Sequence, residues 1–145
     1  MKVTDTLLQH GRALEWLTST VLLAFAVILA FPGDTLAASP SFVAFLWAGA
    51  DEASVVLLLT FIGAMRYAGL WINGNWRRSP MLRVVGACCG AGIFLGLTVL
   101  FALPYIRGVQ DGLSTGVGVY LVLAIADMAA AYRSGADIGN YPTGH

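Results

Sequence analysis

The sequence predicts an all-α integral membrane protein: a four-helix bundle with both termini on one side and a short interfacial helix before the second span. Three observations predict it. The chain has 145 residues, 58% hydrophobic and only 11% charged, with a mean hydropathy of +0.77, whereas a water-soluble domain is about a quarter charged. Its apolar residues fall into four runs long enough to cross the roughly 30 Å hydrocarbon core of a bilayer. Its basic residues alternate in number from one side of those runs to the other, as the positive-inside rule requires.

The runs follow in order. Residues 1–13 mix Lys2, Asp5, His10 and Arg12 with Val3, Leu7 and Leu8, a pattern that suits a short amphipathic turn at the interface. The first span is read over about residues 14–31 and is ended by Pro32-Gly33-Asp34. Thr35-Leu36-Ala37 could pass for a signal-cleavage site, but Asp5 and Glu15 and the length of the run favour a retained helix. The stretch from Pro40 to Trp71 is too long for one span, and Asp51-Glu52 interrupts it. Ser41–Ala48 is therefore assigned to the interfacial helix and residues 52–72 to the second span, with Asp51 and Glu52 as outer-edge carboxylates capping its positive end. Asn73-Gly74 signals a turn, the third span covers about 81–103 with Pro104 as its stop, and the fourth covers about 113–132. Residues 133–145 are Gly-rich and polar and are expected to be a loose tail, so the whole chain is one transmembrane domain.

Orientation comes from a count. Lys2, Arg12, Arg66, Arg77, Arg78, Arg83 and Arg133 belong to one side and Arg107 alone to the other, which puts both termini in the cytoplasm of a bacterial inner membrane. Eight basic residues balance eight acidic ones, so nothing points to a nucleic-acid partner. The partner that the composition demands is the lipid bilayer.

No HExxH, GxSxG, P-loop or CxxC pattern occurs, and both histidines, His10 and His145, lie outside the spans. Neither an enzyme nor a cofactor is expected. Cys88 and Cys89 are adjacent on a helix, where their side chains diverge and cannot bridge without distortion. The third span carries two GxxxG spacings, Gly86 with Gly90 and Gly92 with Gly96. Such glycines let backbones approach closely in lipid. They serve either packing inside one bundle or self-association between copies. Arg66 and Asp127 each stand five residues before a cytoplasmic-side aromatic, Trp71 and Tyr132. That places both about 7 Å inside the interface, where a charge needs a partner or must snorkel. Asp127 is too short to snorkel as far as an arginine, so an ion pair with Arg66 is expected, Arg83 being the second choice. That pairing requires the second and fourth helices to be neighbours.

The residues Arg66-Tyr67-Ala68-Gly69-Leu70-Trp71-Ile72-Asn73-Gly74-Asn75-Trp76-Arg77-Arg78-Ser79-Pro80-Met81-Leu82-Arg83, with Tyr120–Asp127 and Tyr132-Arg133, resemble small membrane proteins of tailed phages and prophages, some of them holin-like. The resemblance covers about the second half of the chain. It implies a small inner-membrane protein that self-associates and opens a lesion for an endolysin. An accessory subunit of a larger membrane complex, or a small-solute channel or transporter, remains the alternative. Two other four-helix families fit less well. Small multidrug exporters carry a mid-span glutamate where this chain has Glu15 at the entrance. Fluoride channels carry a Gly-rich stretch ending in Arg-Tyr near the first span, whereas Gly63–Tyr67 lies in the second.

Overall fold

The computed structural model describes residues 12–75 and 80–139. The interfacial turn expected over residues 1–13 lies mostly outside these, as do Arg77, Arg78 and the last six residues of the tail. Among the described residues the chain is helical and has no strand. Four long helices carry it: α1 over Arg12–Leu29, α4 over Glu52–Asn75, α5 over Pro80–Ile106 and α6 over Thr115–Gly139. All four are long and apolar enough to cross a membrane, which makes this a multi-pass membrane protein. Two short helices, α2 over Thr35–Ala38 and α3 over Val43–Trp47, follow α1, with a 3-10 turn at Pro40–Phe42 between them.

The four long helices form a square in chain order. α1 packs mainly on α4, α5 packs most extensively on α6, and the remaining sides, α4 against α5 and α1 against α6, are lighter. The diagonals are α1 to α5 and α4 to α6. Lipid does not squeeze apolar helices together as water does, so small residues and polar contacts must hold the sides. At Gly63 an added Cβ would sit 2.6 Å from Leu23 Cδ2, and at Gly116 one would sit 2.9 Å from Phe101 Cδ1. Both glycines set how closely their helices approach.

Several boundaries depart from those read in the sequence. α1 ends at Leu29, because the proline at 32 disfavours helical backbone at Phe31. The interfacial segment is divided into the Pro40–Phe42 turn and α3, with α2 as an additional turn capped by the Asp34 carboxylate, which accepts from Ala37 N–H at 3.3 Å. α4 runs through Asn73-Gly74, a turn signal overridden where helical hydrogen bonds are the best available use of backbone groups at a membrane edge. Pro104 does not stop α5. At 27 residues, α5 spans about 40 Å and outruns the hydrocarbon core, so Pro104 sits in its last turn and disturbs little. The stop is Gly108, whose φ of +67° lets Val109 N–H reach Pro104 O at 2.9 Å and Gly108 N–H reach Tyr105 O at 3.0 Å, a Schellman closure. Gly49, at φ +74°, ends α3 in the same way, with Ala50 N–H on Phe45 O. α6 begins at Thr115 and continues to Gly139, so residues 133–139 are helix and not loose tail. Ser134, fully buried, shows why: its turn still packs against the bundle.

The two ends of the bundle differ in chemistry. At the end that holds α2 and α3, aromatic rings fill the core. Phe42 and Tyr120 each lie 5.2 Å from Phe101 by ring centroid, and Phe25 lies 6.0 Å from Tyr120. Phe94 closes this plug with no exposed surface. Arg107, the one arginine or lysine among the described residues at that end, lies over the Trp47 ring at 4.9 Å. Asp51 precedes α4 there and accepts a hydrogen bond from the Ser54 hydroxyl, which holds its carboxyl below the ordinary carboxylate range. Glu52 stands in the first turn of α4. Both carboxylates therefore mark a helix start.

Candidate functional site

The other end of the bundle is built from charge. Arg66, on α4, has a side chain 3% exposed, and Asp127, on α6, has one fully buried. Arg66 Nη1 donates to Asp127 Oδ2 at 2.5 Å and Nη2 to Oδ1 at 2.7 Å, a two-pronged pairing that suits the flat guanidinium fork. Thr18, on α1, completes the set. Its hydroxyl accepts from Arg66 Nη2 at 2.7 Å and donates to Asp127 Oδ1 at 2.8 Å. The fourth helix contributes an absence of side chain. A Cβ on Gly90 would lie 1.7 Å from Arg66 Nη1 and 2.1 Å from Asp127 Oδ2. Gly90 is the hollow in α5 that the ion pair occupies.

The pairing does not depend on α4 and α6 being neighbours. They are diagonal, and the long arginine crosses the bundle axis to reach the short aspartate. A second pair lies on the other diagonal. Arg83, on α5, donates from Nη2 to Glu15 Oε1 at 2.5 Å and from Nε to Oε2 at 3.2 Å, Glu15 being on α1. Glu15 is one turn before Thr18, so the second pair sits about 4.5 Å nearer the bundle end. Two crossed ion pairs, stacked at successive levels, thus tie all four helices. A hydrogen bond between Thr20 and Tyr67 and an edge contact of Trp16 on Tyr67 at 4.8 Å secure the α1–α4 side at the same end.

The sequence does not anticipate Thr18 or the Glu15–Arg83 pair, and offers Arg83 only as a second-choice partner of Asp127. Glu15 stands at a helix entrance and Arg83 at headgroup depth, and such residues commonly face water. The available signal was the three-residue step from Glu15 to Thr18, which puts both on one face of α1. The outer pair is the weaker of the two, because Arg83 is 10% exposed and its head can turn toward headgroups. Glu15→Gln is therefore expected to cost about 1–2 kcal/mol in detergent unfolding, clearly less than loss of Asp127.

The four glycines of α5 separate. Gly86 and Gly90 are buried: Gly86 faces the Arg66 stem, with Cγ at 3.5 Å from a built Cβ, and Gly90 faces its head. Gly92 and Gly96 are exposed with nothing within 4 Å, and Cys88 is exposed beside them. Only the first GxxxG serves packing inside the bundle. Among the described residues no group of three or more His, Cys, Asp and Glu gathers as a metal site would require. No family model, curated protein or solved structure matches this chain.

Proposed function

We propose that this is a small phage-type protein of the bacterial inner membrane, with both termini cytoplasmic, that assembles side by side and permeabilises the bilayer as a holin does. One observation carries the reading: Gly92 and Gly96 lie bare on the outside of α5, in a bundle whose interior is already completed by its own residues. A bare small-residue surface on a membrane helix favours close contact with another helix. The core is occupied by the crossed ion pairs at one end and the Phe94 plug at the other. A lesion would therefore open between copies and not through one. The basic asymmetry supports the orientation, with the ion-paired end toward the cytoplasm.

The test is functional. Induced expression should halt growth abruptly and let a co-expressed cytosolic endolysin lyse the cells, and Gly96→Leu should delay or abolish that lysis while leaving the monomer folded. Normal growth at high membrane expression with no endolysin release would assign the chain to the class of accessory subunits instead.

A further inference from the structure

The four long helices divide into two halves. α1 and α4 pack closely, as do α5 and α6, whereas α4 against α5 and α1 against α6 pack lightly. The close glycine approaches respect this division: Gly63 meets Leu23 within the first half, and Gly116 meets Phe101 within the second. The charged contacts do the opposite. Arg66 and Glu15 belong to the first half, Asp127 and Arg83 to the second, so both ion pairs cross the seam. Each half thus offers one cation and one anion to the complementary set opposite. The hydrogen bond from Thr18 to Asp127 crosses the same seam. At the other end the halves meet through rings, Phe25 against Tyr120 and Phe42 against Phe101. Ser134 leaves the charged end of the seam incomplete. It stands two turns beyond Asp127 on the same face of α6. It is fully buried, and its hydroxyl meets no hydrogen-bond partner among the described residues. Such a group is better satisfied in water.

We infer that the two ion pairs are a latch between rigid halves, residues 12–75 and 80–139, and that the charged end opens along the α1–α6 side while the aromatic end stays shut. The chain itself selects that side. Only four residues, 76–79, join α4 to α5 at the charged end, whereas α1 and α6 are not consecutive in the chain. The latch has two states because the half-open condition is the costly one. A buried charge parted from its partner is expensive, whereas a hydrated ion pair is nearly indifferent to separation. Water that reaches one pair reaches the other a single turn away, so the pairs part together. Because the Phe94 plug holds, opening wets Arg66, Asp127, Glu15 and Arg83 from one side of the membrane and makes no path through the bundle. One copy suffices, so the latch is independent of the assembly proposed above.

Spin-label distances on the full chain in lipid nanodiscs test this, with Cys88→Ala and Cys89→Ala removing the native thiols. Labels at Ala13→Cys and Tyr132→Cys report the charged end of the α1–α6 side. Labels at Val27→Cys and Val119→Cys report its aromatic end, and Ala13→Cys with Trp71→Cys reports the first half alone. All these positions are exposed. With Glu15→Gln and Asp127→Asn together, the first distance should lengthen by at least about 3 Å, the width of one water layer. The other two distances should hold. Should that variant fail to fold, Glu15→Gln alone decides, with the longer distance in a smaller fraction of molecules. Arg66→Met with Asp127→Leu should keep the short distance, since apolar side chains gain nothing from entering water. An unchanged first distance in the folded latch variants overturns the inference. So does lengthening of either control distance alongside it, or opening of the apolar version.

Discussion

Gly90→Ala should destabilise the bundle by on the order of 2–4 kcal/mol, although alanine normally stabilises a helix by about 1 kcal/mol relative to glycine. The added methyl has no room, since its carbon would stand 1.7 Å from Arg66 Nη1 and 2.1 Å from Asp127 Oδ2. Neither atom is the loose end of a mobile side chain. Both are fixed by the two-pronged pair and by Thr18. Making space means separating two charges that are both buried, and breaking a buried pair costs about 3–5 kcal/mol. Gly96→Ala is the control. Nothing lies within 4 Å of Gly96, so the ordinary helix preference should prevail and stability should hold or rise slightly. Unfolding of both variants in the same mild detergent, followed by circular dichroism, gives the comparison. Equal stabilities would mean that α5 is rotated from the position described.

That contrast also shows what can be read from residues alone. The two GxxxG pairs look alike as motifs. Yet Gly90 and Gly92 are two residues apart, about 200° around a helix, so the pairs must face opposite sides. Rotation about the helix was legible; which side is inward was not, because it depends on the charge that Gly90 accommodates. The heights of Arg66 and Asp127 were legible in the same way, from their equal distances to Trp71 and Tyr132. Height says nothing of angular position around the bundle. The requirement that their helices be neighbours failed because an arginine side chain is long enough to cross a diagonal. The Glu15–Arg83 pair was not legible because each residue, taken singly, suits a helix end at the interface, and Arg83 stands out only as a second-choice partner for Asp127; the square arrangement brings the two together. At Pro104 the strongest local stop signal lost to Gly108, since a proline in the last turn interrupts few hydrogen bonds whereas a left-handed glycine completes several.

The second large effect is expected at the inner ion pair itself. Asp127→Asn leaves the Arg66 charge without its counterion in a core where its side chain is 3% exposed, and Arg66→Gln leaves Asp127 in the same condition. Each should cost about 3 kcal/mol or more, since an uncompensated charge is the expensive state. The double replacement removes both charges together and should recover much of the loss. An apolar version, Arg66→Met with Asp127→Leu, should come closer still to the wild-type stability. Lysine at 66 should not substitute, because a single ammonium cannot serve both Asp127 oxygens and Thr18 from one planar fork.

The coupling energy between Arg66 and Asp127, obtained from a double-mutant cycle of detergent unfolding free energies, tests the crossed-pair core most directly. Polar contacts between membrane helices average about 0.6 kcal/mol in such cycles, with the largest near 1.7. A buried two-pronged pair spanning the diagonal, joined by Thr18, should give at least about 1.5 kcal/mol. Effects of the two single changes that add to within about 0.5 kcal/mol in the double would contradict it.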